Sequence, residues 1–273
     1  MKLEELKSRW QQDALLIEVR EVCLTKVPPR QISRRDWYEQ YFPKEVHPHT
    51  NEYCRDLRGI DLSGGVFDSD HWFSEARLEN SSFRKVRIVE THFQNAVLAY
   101  ADFSGSEITG GQFLVICAHQ ANFSHCTINK STFGGFNPMR NGPGPFGYSD
   151  LTSSSFAEST VSKTSLNNVD FRGADFQGAV FSDCNFTGSD LRGIQLDERT
   201  RFIRCDFRCV LLDNRRPFRA IFRHGLTPVL EDCLNLDAVN WVRDASFPDD
   251  PEWLLDAGFV LPKRPVTLGN KAQ

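Results

Sequence analysis

The residues able to do chemistry are eight cysteines, seven histidines and a surplus of carboxylates. Cys205 and Cys209 have three residues between them, yet no second Cys/His pair completes a tetrahedral metal site. His47-Pro48-His49 is a lone pair in a loop-like stretch. His119 and His125 have neither a nucleophile nor a carboxylate at a spacing that would make them general bases. Gly134-Gly135-Phe136-Asn137-Pro138 lacks the Lys-Ser/Thr end of a phosphate loop. No enzyme activity, cofactor or metal is expected from this set.

The composition frames what positions these residues. The chain has 273 residues, 40% hydrophobic and 25% charged, with a formal net charge of −4, which argues against disorder and against a strongly basic nucleic-acid binder. No run approaches the length of a membrane-spanning helix, and Met1-Lys2-Leu3-Glu4-Glu5-Leu6 lacks a signal-peptide apolar stretch. The expected location is therefore cytoplasmic, with the thiols reduced.

Phenylalanine, present 22 times, falls on a five-residue ruler. Leu78, Phe83, Ile88, Phe93, Leu98, Phe103, Ile108, Phe113, Ala118, Phe123, Ile128 and Phe133 follow one another at this interval. A second run reads Phe146, Leu151, Phe156, Val161, Leu166, Phe171, Phe176, Phe181, Phe186, Leu191 and Leu196. One-residue slips add Leu57, Leu62, Phe67 and Phe73 before, and Phe202, Phe207 and Leu212 after. Period five suits neither a helix nor a strand and requires a corner every five residues. The residue two before each ruler position is usually small, as at Ala101, Ala121 and Ala174. A large and a small side chain therefore point inward at each step, and three polar residues face water. Ala118 is the small exception, offset by a large Ile116 in the small slot. Cys126, Cys184 and Cys205 fall in small slots, where cysteine acts as a compact hydrophobe.

The pattern Ala-Asp/Asn-Leu/Phe, as in Ala101-Asp102-Phe103-Ser104-Gly105, resembles the pentapeptide-repeat proteins over residues 55 to about 213. The resemblance implies an all-β solenoid, a right-handed quadrilateral β-helix with four pentapeptides per coil. Like residues recurring every twenty positions support four-sided stacking independently. Thirty steps predict about seven and a half coils, a rod of about 35 Å at the strand spacing of about 4.8 Å. Phe83, Phe103, Phe123, Phe171, Phe176, Phe181 and Phe186 are expected in its core, with Phe171 in one column with Phe123 and Leu191.

Thirteen residues separate Phe133 from Phe146, giving an eight-residue insertion in the Pro/Gly-rich loop 134–145. Phe136, Asn137, Met139, Arg140 and Asn141 in that loop are the candidate partner contacts. Residues 1–54 form an expected helical N-terminal flank, with Leu3, Leu6, Trp10 and Leu15 on one face and a second helix from Ser33 through Trp37, Tyr38 and Tyr41. Residues 214–273 form an expected helical C-terminal flank, with helices opening at Thr227-Pro228, carrying Leu230, Cys233, Leu234 and Leu236, and at Asp250-Pro251. Either flank caps an end of the rod; a homodimer through the C-terminal helices is the alternative.

Residues 90–198 hold eleven acids and five bases, whereas 199–224 hold two acids and eight arginines: Arg199, Arg201, Arg204, Arg208, Arg215, Arg216, Arg219 and Arg223. The arginines either form a basic patch for anionic groups or pair with Asp249, Asp250, Glu252 and Asp256 of the tail. The expected function is a non-catalytic protein-binding scaffold. The family resemblance implies DNA gyrase or topoisomerase IV as the concrete partner, bound by mimicry of DNA as in quinolone-resistance members. A structural adaptor that uses the rod as a spacer is the alternative.

Overall fold

A computed structural model describes residues 2–25, 42–46, 48, 53–71, 73–134, 149–213 and 230–242. Helices α1 (Leu3–Gln12) and α2 (Ala14–Thr25) precede an antiparallel pair, β1 (Lys44–Val46) and β2 (Tyr53–Arg55). The chain then winds into a β-helix of short parallel rungs. These are β3 (Val66–Phe67), β4 (Arg87–Val89), β5 (Glu107–Thr109), β6 (Thr127–Asn129), β7 (Ser149–Asp150), β8 (Thr160–Ser162), β9 (Val169–Asp170) and β10 (Val180–Ser182). They continue as β11 (Arg201–Ile203), β12 (Leu211–Asp213), β13 (Leu230–Glu231) and β14 (Asn240–Val242). One face is an eight-stranded parallel sheet in the order β3-β4-β5-β6-β8-β10-β11-β13.

Each ruler amide donates to the coil below, as Phe83 N does to Asp102 O at 2.7 Å. The residue before it donates to the coil above, as Asp102 N does to Ser81 O at 2.9 Å. The backbone is thus paired in both directions without a helix or a long strand. The corner demands a left-handed residue two after the ruler position. Asn80, Tyr100, His125 and even β-branched Val115 take positive φ there.

The ruler side chains fill the interior as four columns, and every predicted core phenylalanine is buried. Rings stack along a column, with Phe83 and Phe103 4.7 Å apart and 3° from parallel. Rings of neighbouring columns meet edge to face, as Phe93 and Phe103 do at 5.9 Å and 79°. Ile116 and Ala118 are both buried, consistent with their volume exchange.

The register corrects the insertion. Cross-coil partners lie twenty apart at Ser82↔Asp102 but thirty-three apart at Asn122↔Ser155, so thirteen residues are inserted, not eight. Leu151, not Phe146, takes the corner after Phe133. The reason is Pro145: the residue before a ruler position must donate an amide upward, as Asp150 N does to Ile116 O at 2.8 Å, and proline has none. Phe171 accordingly stacks below Leu151 and above Leu191, and Phe123 belongs to the next column, stacked on Phe156. Six coils with four buried corners run from Leu57 to Phe186, and the seventh has a partly buried Leu196. Counted as far as Leu212, the coils fall slightly short of the expected seven and a half because Phe146 is not a step.

The N-terminal helices do what the first end of the rod requires. The first coil has no coil before it to donate to its carbonyls. Trp10 Nε1 donates to Arg58 O at 2.8 Å, Arg9 donates to the same oxygen at 2.9 Å, and Arg20 Nε donates to Asp61 O at 2.6 Å. Arg9 also grips both Asp56 carboxylate oxygens, at 2.9 and 3.0 Å. Gly59 at φ +71° lets α1 approach, since a Cβ there would lie 2.8 Å from Leu6 O. The single expected helix is two, broken at Asp13, whose carboxylate caps α2 by accepting Leu15 N at 2.9 Å. Leu3 and Leu15 are exposed, while Leu6 and Trp10 are buried. The helix expected from Ser33 lies outside the described residues.

At the other end, Leu230, Cys233, Leu234 and Leu236 do not form the expected helix. β13 pairs with β11, a one-turn 3-10 segment spans Leu236–Ala238, and β14 pairs with β12, so this stretch is one more coil. Its apolar spacing fits a five-residue corner as well as a helical turn, and the open ladder of β11 and β12 decides for the corner. The helix expected at Asp250-Pro251 lies outside the described residues.

Candidate protein-binding surface

The outward surface is built from the three polar residues of each step, and its most regular feature is acidic. In the residue before the ruler position, Asp102, Asp150, Asp170, Asp175 and Asp190 accept the main-chain amide two residues ahead at 2.9–3.1 Å. Asn122 and Asn185 do the same. Asp197 accepts the amide of Arg199 at 3.0 Å and that of Gly178 at 2.8 Å. Six of the eleven acids between 90 and 198 are thus corner-forming groups.

Many of these acids are also neutralised. Arg172 pairs with Asp170 at 2.7 Å, Arg192 with Asp190 at 2.5 Å, and Arg84 with Asp102 at 3.7 Å. Asp150, Asp170 and Asp190 stack in register on one face, a like-charge column into which Arg172 reaches from Asp170 toward Asp190 at 3.8 Å. Despite burial, the amides of Gly178 and Arg199 and the Arg199 guanidinium hold Asp197 down at about 2.

Of the eight-arginine patch, Arg199, Arg201, Arg204 and Arg208 are described, and Arg215, Arg216, Arg219 and Arg223 lie outside the described residues. The four occupy successive positions around one coil, each with its own acceptors. Arg199 bridges Glu158 at 2.5 Å and Asp197 at 2.8 Å, and Arg204 pairs with Asp183 at 2.8 Å. Arg201 donates to Glu198 O at 2.6 Å, and Arg208 reaches Asp206 at 4.0 Å. Their carboxylate partners come from the rod.

The candidate contacts Phe136, Asn137, Met139, Arg140 and Asn141 lie outside the described residues, as do His47 and His49. What the described residues establish is the point of departure. The ladder is continuous on all four faces across the insertion, with Cys117↔Asp150, Asn122↔Ser155, Ile128↔Val161 and Thr132↔Ser165 all in register. The inserted residues leave and return at a single corner between Gly134 and Ser149.

Of the other residues considered for chemistry, His119 Nδ1 meets the Thr152 hydroxyl at 2.7 Å, and that hydroxyl donates to Asp150 at 2.7 Å. This arrangement joins two coils. Cys126, Cys184 and Cys205 are buried in their small slots, and burial pushes the Cys126 thiol up to about 12. Among the described residues, no cluster of three or more Cys, His, Asp or Glu side chains could hold a metal. Sequence reasoning missed a groove of about 690 Å³ between α1 and the second face, lined by Lys7, Trp10, Arg20, Arg84 and Tyr100 among others. No local signal could reveal it, because it arises from the docking of the cap.

The family profile for pentapeptide repeats matches eight copies, over residues 73–110 and 154–193. These two stretches of the rod are pentapeptide repeats. Among solved structures, a trypsin-treated variant of QnrB1, a plasmid-mediated fluoroquinolone resistance protein, is 18% identical, covering 76% of this chain and 84% of its own, at a TM-score of 0.43. HetL, a pentapeptide-repeat protein involved in heterocyst differentiation regulation in the cyanobacterium Nostoc, is 14% identical, covering 68% of this chain and 80% of its own, at a TM-score of 0.31. No curated protein matches the chain. No helix among the described residues is long and apolar enough to cross a membrane.

Proposed function

We propose that this pentapeptide-repeat protein is a non-catalytic binding scaffold that presents its thirteen-residue insertion to a protein partner from a rigid rod. The observation that carries this reading is the unbroken register on both sides of the insertion. The described rungs on either side keep the twenty-residue register once residues 135–147 are set aside, and that segment holds Phe136, Met139 and Arg140, residue types suited to contacts. The burial of Cys126, Cys184 and Cys205 in the core and the engagement of His119 across coils support a non-catalytic reading.

The concrete partner is a type II topoisomerase, DNA gyrase or topoisomerase IV, as the repeat's resemblance to quinolone-resistance members suggests. Such a partner is cytoplasmic, and so would be this protein. The pairing of the rod's acids with arginines favours contact through the insertion over mimicry of a uniformly charged duplex. The same pairing supports the second reading, an adaptor in which the rod is a spacer and a different protein binds the insertion or a flank. Supercoiling by purified gyrase, with and without a quinolone, tests the choice. Protection or inhibition at stoichiometric protein supports a topoisomerase partner, and indifference of both gyrase and topoisomerase IV leaves the adaptor.

A further inference from the structure

Three thiols occupy one inward corner on successive coils. Asn185, Asp206 and Leu234 bridge in parallel register, which stacks the preceding residues Cys184, Cys205 and Cys233. Asp206 N donates to Cys184 O at 2.9 Å and Leu234 N to Cys205 O at 2.8 Å. Cys205 therefore sits between Cys184 on the preceding coil and Cys233 on the following one. Each thiol also donates to the carbonyl two residues back, at 3.3 Å for Cys184, 3.5 Å for Cys205 and 3.6 Å for Cys233.

Packing does not call for sulfur here. In the coils before Cys184 the same corner holds Ser131 and Thr164, whose hydroxyls donate to the carbonyl two residues back at 3.0 and 2.8 Å. Sulfur replaces oxygen at this corner in each remaining described coil. Exposure also changes along the column: Cys184 and Cys205 are buried, and Cys233 is half-buried. Neighbouring parallel strands lie about 4.8 Å apart, inside the Cα separation of about 4.4–6.8 Å that a disulfide spans.

We propose that Cys205 and Cys233 are an oxidative modification site, closing a reversible disulfide that staples the terminal coil, residues 230–242, to the rod. The oxidant is a peroxide. It converts the Cys233 thiol to a sulfenic acid and releases one water. The Cys205 sulfur then attacks the sulfenic sulfur, the S–S bond forms, the S–O bond breaks and a second water leaves. Two thiols lose two electrons and two protons, and one peroxide becomes two waters; a dithiol reductant reverses the step. The Cys184 thiol beside it, with burial, pushes Cys205 up to about 12, so the closed column is slow to react. Oxidation proceeds when the terminal coil, joined to β11 by the two-residue β13 and to β12 by the three-residue β14, opens.

The test treats the full chain with hydrogen peroxide, blocks residual thiols, and maps disulfides by digestion and mass spectrometry, in wild type and in Cys233→Ser, Cys205→Ser and Cys126→Ser. Serine already occupies this corner at Ser131, so the first two variants are expected to fold. The expected result is a Cys205–Cys233 cross-link in wild type and Cys126→Ser, absent from the other two and removed by dithiothreitol. Proteolysis of the C-terminal coil should slow by tenfold or more on oxidation, in wild type but not in Cys233→Ser. A cross-link confined to Cys184–Cys205, bonding only between chains through exposed Cys209, or sulfinic acid at Cys233 without a disulfide would overturn the proposal.

Discussion

Truncating Phe103 to alanine should remove a large part of the stability of the rod. Phe103 is fully buried and touches four rings. Phe83 and Phe123 stack on it at 4.7 and 4.9 Å, and Phe93 and Phe113 meet it edge-on at 5.9 and 5.8 Å. Phe→Ala in a core costs about 3–5 kcal/mol, depending on how far the surroundings relax. Here they cannot relax far. The coils are held at fixed spacing by Phe83 N to Asp102 O and Phe103 N to Asn122 O, both 2.7 Å, so the void cannot close along the axis. Within that cost, each lost ring pair accounts for about 0.5–1.5 kcal/mol beyond area burial. The expected loss is therefore at the top of the range, about 5 kcal/mol, against a typical total of about 5–15 kcal/mol. Urea denaturation followed by circular dichroism measures it, with outward-facing Ser104→Ala as the control, expected within about 0.5 kcal/mol of wild type. Because each coil touches only its neighbours, a lesion at this depth should also split the transition into two steps. A loss below about 2 kcal/mol with a single transition would refute the stacked-column account.

Asp56→Ala should cost about 3 kcal/mol by leaving Arg9 without a carboxylate and Arg58 with Glu45 alone where α1 meets the first coil, read as a lowered melting temperature. Asp197 has a folded pKa near 2, below its unfolded value of about 3.9. Its contribution to stability is therefore complete above about pH 4 and lost as pH falls through about 2, and Asp197→Asn should flatten the acid limb of the stability curve in that window. Deleting residues 135–147 restores the five-residue step from Phe133 to Leu151, and the variant should melt close to wild type, since loop entropy changes slowly with length. In the reduced native protein, a polar maleimide should modify exposed Cys209 at least tenfold faster than buried Cys126 and Cys205; equal rates would contradict the inward slots.

The rod was legible because its signal is local and repeated: Phe83 through Phe133 mark every corner, and Asp or Asn before the ruler marks the turn that it caps. The insertion was misjudged by five residues because Phe146 fits the apolar pattern, whereas Pro145 violates the less obvious demand for a main-chain donor. Leu230 to Leu236 misled because period five and period 3.6 place apolar residues alike over a single turn; only the unpaired ladder of β11 and β12 distinguishes them. The N-terminal cap was legible as a helix face, but not as a set of donors for Arg58 and Asp61, because those partners lie more than forty residues away. Of the eight arginines, Arg199, Arg204 and Arg208 meet carboxylates of the rod itself, partners that sequence spacing does not single out because Glu158 and Asp183 reach them from preceding coils.

The central claim is that the rod is a scaffold and the insertion is its contact. Binding of wild type and of the 135–147 deletion to purified gyrase and topoisomerase IV, measured beside melting curves of both proteins, tests it most directly. The account predicts matching melting temperatures and an affinity at least tenfold weaker for the deletion, equivalent to about 1.4 kcal/mol. A deletion that melts like wild type and binds the same partner equally well would contradict it.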